Sequence, residues 1–167
     1  MKQYNHFAAA ILLCSSFFLT HCTNVKRTAD SNASEVKAAI AASNALYFES
    51  FEKNDSSIFI NSYAEDACIM APNAPEVCGC GGAAKFFRAA YDRHGLRGGK
   101  FITTAVYGDG ASGYVTEEGL WLSINAKGVI FDKGKFLVLW KKTPVGWKMF
   151  RDSFSANQEQ DTKNDAQ

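Results

Sequence analysis

The sequence predicts an α+β domain, with helices first and an antiparallel sheet after them. Residues 35–95 hold runs of helical spacing around one short β-like run. From Lys100 the chain changes to long β-rich stretches, KFITTAVYGD, GYVTEEGLWLSI, KFLVLWKK and GWKMFRDSFSA, separated by turn signals. No helix intervenes between these strands, which argues against a βαβ arrangement.

The elements follow in order. Residues 1–22, MKQYNHFAAAILLCSSFFLTHC, begin with a basic Lys2 and hold an apolar run of secretory-signal length from Phe7 to Leu19. LTHC places a leucine three positions before Cys22, as in a bacterial lipoprotein signal, although His21 replaces the usual small residue. The reading favours lipidation at Cys22, with plain secretion as the alternative, and hence export to the periplasm or a membrane-anchored lipoprotein. Residues 23–34 are polar and read as a flexible tether; the globular domain is expected over 35–156 and a disordered tail over 157–167.

Within the domain, Val36, Ile40, Ser43, Tyr47 and Phe51 share one helical stripe, with Ser34 as a candidate cap. Asp55 caps a short second helix with Ile58, Phe59 and Tyr63 inward. AEDACIMAP forms a short strand. GGAAKFFRAAYDRHG forms a third helix, closed by His94 and a left-handed Gly95. T-P-V-G at 143–146 is a hairpin turn. An unbroken hairpin pairs Trp140 with Met149 and Val138 with Arg151. Phe136, Val138, Trp140, Met149, Arg151 and Ser153 then share one face, and Leu137, Leu139, Phe150, Asp152 and Phe154 the other. Both faces are apolar, so the helices cover one and a second copy of the chain is expected over the other, giving a homodimer through the sheet.

Charge excludes some functions. The chain has 18 basic and 17 acidic residues; Lys2 leaves with the leader, so 17 face 17. This balance offers no footprint for nucleic acid, and contact with a membrane is expected only through the lipid anchor. His94 is the one histidine left after the leader, and C-G-C lacks zinc-knuckle spacing, so no metal site and no cofactor are expected. In a hairpin across the N-A-P turn, Cys68 falls opposite roughly residue 79 or 80. A Cys68–Cys78 or Cys68–Cys80 disulfide fits an oxidising compartment, and three reduced thiols are the alternative.

Y-x-E-x-F-x-x-N-D (47–55), Y-A-E-D-A (63–67), M-A-P-N-A-P-x-x-x-G (70–79) and the ending F-L-V-L-W-K-K-x-x-x-G-W-K-M-F-R-D-S-F (136–154) together resemble the nuclear transport factor 2-like superfamily, in its domain-of-unknown-function branch near the SnoaL-like and ketosteroid isomerase-like proteins. The resemblance implies a cystatin-like cone: three N-terminal helices packed on a curved antiparallel sheet around an apolar pocket. By position, Tyr47 matches the oxyanion-hole tyrosine and Tyr63 a second, supporting tyrosine. A third tyrosine falls on Phe87, the base aspartate on Ala71, and the protonated acid near Val138. With base and acid missing, steroid isomerase chemistry is not expected.

The expected activity is therefore binding of a small, partly apolar ligand. The pocket is read as Tyr47, Tyr63, Met70, Phe87, Val138, Trp140, Met149 and Arg151. Arg151 would fix an anionic group of the ligand, or pair with Glu117 or Glu118, or lie at the sheet rim. Asp152, on the opposite face, is assigned to the interface or a turn. The alternative is an enzyme (lyase, cyclase or isomerase) using Glu117, Glu118 or Tyr47; a raised carboxylate pKa inside the pocket would favour it.

Overall fold

The computed structural model describes the backbone of residues 22–157 and the side chains of 32–157. The leader and the tail lie outside these residues, apart from Cys22 and Asn157. Helix α1 spans Cys22–Lys53. The segment 23–34, expected as a tether, forms its first turns; that stretch contains no proline or glycine to stop a helix. Packing begins at Val36 and continues through Ile40, Tyr47, Phe48 and Phe51. The helix ends where Asn54 takes a φ of 52° and the Asp55 amide donates to the Ser50 carbonyl. Asp55 then caps α2 (Ser56–Asn61), accepting from the Ser57 amide at 2.9 Å and the Ser57 hydroxyl at 2.7 Å.

Strand β1 (Tyr63–Met70) turns through the loop 71–76 into the two-residue β2 (Val77–Cys78). Helix α3 (Gly79–Arg88) follows, and a π-helical turn over Ala89–Arg93 widens its end. Gly95, at φ 70°, closes this element as its sequence implies. Strands β3 (Gly98–Tyr107), β4 (Tyr114–Ile124), β5 (Ile130–Thr143) and β6 (Gly146–Ala156) form the antiparallel part. The sheet has six strands rather than four, because β1 joins parallel to β6 and brings β2 with it; the order is β2-β1-β6-β5-β4-β3. It is curved and unclosed, with the helices packed against it. Among the described residues no helix is long and apolar enough to cross a membrane.

The concave face carries the core: Val115, Glu117, Gly119, Trp121 and Ser123 from β4, and Phe136, Val138 and Trp140 from β5, all buried. Gly119 is required there, because a Cβ would stand 2.7 Å from the Phe136 ring and 2.3 Å from the Ile102 carbonyl.

The hairpin β5–β6 departs from the expected register. Lys142–Trp147 and Trp140–Met149 pair as expected, but the next pairs are Leu139–Arg151 and Val138–Asp152. Phe150 is therefore the extra residue of a β-bulge, and every side chain beyond it changes face. Arg151 leaves the concave side and Asp152 takes its place. The reversed phase leaves the guanidinium half-exposed, 3.8 Å from the Phe150 ring centre, with hydrogen bonds to the carbonyls of Asp66 and Phe150. An unbulged hairpin would have turned that charge inward among Val138, Trp140 and Met149, at the desolvation cost of a buried guanidinium.

Candidate functional site

A cavity of about 450 Å³ opens between the concave face, α3 with its π-helical turn, and the loop 71–76. That volume suits a small organic ligand. Its walls are mostly apolar: Phe48, Phe101, Trp121, Phe136 and Phe154 from α1 and the sheet, and Ile69, Ala71, Pro72 and Val77 from β1, the loop and β2. Phe86 and Ala90 close the helical side; the π-helical turn places Ala89, Ala90 and His94 along it. Ser123, Lys85, Glu76, His94 and Asp132 supply polar atoms.

Asp152 is the carboxylate built into this wall. It is 5 % exposed, and its Oδ2 accepts a hydrogen bond of 2.6 Å from the Tyr63 hydroxyl. The described residues offer its Oδ1 no hydrogen bond. Burial pushes its pKa up to about 6; the Tyr63 bond opposes the rise and the charge of Glu117 adds to it. Tyr63 stands behind the carboxylate, and Tyr47, which lines the cavity, is near enough to Tyr63 for the two phenols to influence each other's titration. Burial first, then the nearby Asp152 charge, raises both phenols well above their ordinary pKa, so both stay neutral. The result is a Tyr63–Asp152 pair beside the Tyr47 phenol, with an acceptor oxygen left for a guest.

Two of the positions matched by resemblance acquire meaning here. Ala71 does lie on the wall, and it presents a methyl where a base would stand. Val138 is buried directly across the ladder from Asp152. A carboxyl thus reaches the same neighbourhood from the adjoining strand.

Of the residues expected to form the pocket, Tyr47 lines it and Tyr63 supports it from behind. Met70, Phe87, Val138, Trp140, Met149 and Arg151 do not line it. Ile69 and Phe86 take the places of Met70 and Phe87, one residue earlier in each element. Phe87 stacks on Phe51 with 4.7 Å between ring centres. Trp140 and Met149 are fully buried, and the Trp140 indole donates to Glu117 at 3.0 Å. Glu117 also accepts from Asn44 at 2.8 Å and Thr103 at 2.6 Å, and it is not part of the cavity. Glu118 points the other way, and its carboxylate helps to raise the pKa of Tyr107. His94 donates its backbone amide to the Ala89 carbonyl, as a helix end should, and also lines the cavity. Cys68 and Cys78 form a disulfide across β1–β2, and Cys80 is free and exposed.

Asp152 is the candidate residue that sequence reasoning missed. The available signal was indirect: keeping Arg151 inward demanded desolvating a guanidinium, whereas a one-residue slip placed Asp152 beside Tyr63.

No family profile and no curated protein matches this sequence. Solved structures do match in shape. A nuclear transport factor 2-like protein with a cystatin-like fold from Novosphingobium aromaticivorans aligns over 84 % of this chain and 93 % of its own, at 15 % identity and a TM-score of 0.64. A ketosteroid isomerase-like protein from Erwinia carotovora atroseptica aligns over 73 % and 96 %, at 20 % identity and a TM-score of 0.59. A protein of unknown function with a cystatin-like fold from Nostoc punctiforme aligns over 74 % and 92 %, at 15 % identity and a TM-score of 0.62. These likenesses establish the fold: the chain has the cystatin-like, nuclear transport factor 2-like architecture.

Proposed function

We propose that the cavity binds a small, largely apolar molecule and that Asp152 exchanges a proton with it, as in an isomerase or lyase. One observation carries this reading: a buried carboxylate on an apolar wall, held by a single tyrosine, with its second oxygen left for a guest. A pKa of about 6 leaves Asp152 mostly ionised at neutral pH yet far more basic than an ordinary carboxylate. Tyr47 and Tyr63, both neutral, hold its charge. The methyl of Ala71 separates this arrangement from the ketosteroid isomerase pattern, so the base acts from a different wall. Similar folds include a ketosteroid isomerase-like protein, which makes proton transfer a reasonable class without naming a substrate.

The test is hydrogen–deuterium exchange at carbon. A panel of small neutral ketones and β-dicarbonyls in D2O, followed by NMR, should show exchange catalysed by the protein and abolished by Asp152→Asn. The rate should rise with pH through about 6, as the carboxylate forms. Tight binding of panel members with no exchange at any pH would instead support a ligand-binding module.

We also infer that the chain is exported, with Cys22 as its lipidation site, and that it forms a homodimer through the outer face of the sheet. The Cys68–Cys78 bridge suits an oxidising compartment. Ile102 and Leu120 are register partners on that face, each 43 % exposed, and Leu137 is 50 % exposed. Sedimentation of the full chain should give a dimer that Leu120→Lys dissociates; a wild-type monomer would refute this.

A further inference from the structure

The loop 71–76 and β2 form one wall of the cavity; the Cys68–Cys78 bridge ties β2 to β1, and Val77 packs against Gly82 of α3. Strand β2 has only two register pairs with β1, Cys68–Cys78 and Ile69–Val77. The loop contains Pro72 and Pro75, and Asn73 takes a φ of 56°. Its residues 72–76 are exposed, yet Pro72, Pro75 and Glu76 also face the cavity. The carboxylate of Glu76 lies within 4.8 Å of both sulfurs, so the bridge and the wall are in direct proximity. Ile69, next to Cys68, is the register partner of Asp152. The two sulfurs differ in access: Cys78 is exposed, whereas Cys68 is 8 % exposed.

We propose that Cys78 is a thiol–disulfide exchange site and that the bridge it forms with Cys68 is a redox clasp controlling the cavity wall. The reductant is a dithiol. Its thiolate attacks the exposed sulfur of Cys78, the Cys68–Cys78 bond breaks, and Cys68 leaves as a thiolate that takes up a proton. The second thiol of the reductant then attacks the mixed disulfide, releasing Cys78 as a thiol and the reductant as its own disulfide. Two electrons pass to the protein. With the clasp open, the span between the cysteines, which are ten positions apart, regains its conformational freedom and the two-pair strand does not hold the wall in place. The rest of the sheet, built on long ladders, stays closed.

The test uses the full chain carrying Cys80→Ser, which leaves one bridge and no spare thiol in this region. Backbone hydrogen exchange is compared in the oxidised and dithiothreitol-reduced protein, together with titration of Nile red, a neutral solvatochromic dye. Reduction should speed exchange over 71–78 by about tenfold or more while the β5–β6 hairpin is unchanged. Dye affinity should fall by about fivefold, and reoxidation should restore both. Cys68→Ser/Cys78→Ser should match the reduced protein. Unchanged exchange over 71–78 after reduction overturns the proposal, and so does a uniform rise across the sheet, which would make the bridge a staple of the whole fold. The clasp as a control of binding depends on the small-molecule reading above. A dye that fails to bind the oxidised protein counts against that reading, while the exchange pattern still decides the clasp.

Discussion

Two carboxylates share one row of the concave face. Glu117 on β4 pairs with Val138 on β5, which pairs with Asp152 on β6. Two strand spacings, about 10 Å, separate them. Both are buried, and burial raises the pKa of both. They differ in their partners. Glu117 accepts from Asn44, Thr103 and Trp140, away from the cavity. Asp152 accepts from Tyr63 alone and lies on the cavity wall. A carboxylate whose lone pairs are taken by the fold holds structure together; one left partly unpaired in an apolar wall is available to a guest.

The largest expected effect comes from breaking the satisfied side. Glu117→Ala orphans the buried Trp140 indole and removes the partner of Asn44 and Thr103. It should destabilise the domain by about 3–4 kcal/mol in urea unfolding. A loss below about 1 kcal/mol would mean that the three donors find other partners, and the contrast between the two carboxylates would fail.

The unsatisfied side should behave in the opposite way. Asp152 has its folded-state pKa raised, to about 6, above an unfolded value near the ordinary 3.8. Between those values the folded state keeps a proton that the unfolded state has lost, so stability falls as pH rises through this window. Over about two pH units this amounts to about 3 kcal/mol. Asp152→Asn carries no such charge. The difference in unfolding free energy, variant minus wild type, should therefore grow by about 2.5 kcal/mol from pH 4 to pH 7.5 and be flat above that. A difference independent of pH would show that Asp152 titrates normally and would remove its claim to special chemistry.

The same row shows how far the residues could be followed without coordinates. The stripe Val36–Ile40–Tyr47–Phe51, the Asp55 cap, the Gly95 stop and the T-P-V-G turn depend on neighbours close in sequence, and each is found where its local chemistry puts it. The Cys68–Cys78 bridge, one of two expected pairings, also depends on a short span. The site does not. Asp152 meets Tyr63 only because one residue, Phe150, bulges out of the ladder, and no residue type there requires a bulge. What selects it is tertiary: the bulge exchanges an inward, desolvated guanidinium for a carboxyl that finds a phenol. Ile69 and Phe86 were likewise displaced by one position from Met70 and Phe87, since periodicity fixes a spacing but not its phase against distant strands.

A smaller effect sharpens the site from behind. Tyr63→Phe removes the one hydrogen bond that favours the charged form of Asp152, so its titration midpoint, followed by carbon NMR of the carboxyl, should move above 6. Glu117→Gln should move it slightly down, because the Glu117 charge contributes to the rise. The two variants shift one observable in opposite directions, which a general loosening of the fold would not do. A midpoint unmoved by Tyr63→Phe would break the link between phenol and carboxyl.

The smallest expected effect is at Arg151, and it tests the register itself. In an unbulged hairpin Arg151 would face the cavity as an anion anchor, and Arg151→Ala would weaken binding of a carboxylate-bearing ligand by tenfold or more, about the 1.4 kcal/mol or greater value of a charged hydrogen bond. In the bulged hairpin the guanidinium lies over Phe150 on the outer face and touches nothing in the cavity. Arg151→Ala should then leave dye and ligand affinity within about twofold of wild type, at a stability cost of about 0.5 kcal/mol from lost packing on the ring. A large loss of binding would place Arg151 inside and Asp152 outside, and proton transfer by Asp152 would fall with it.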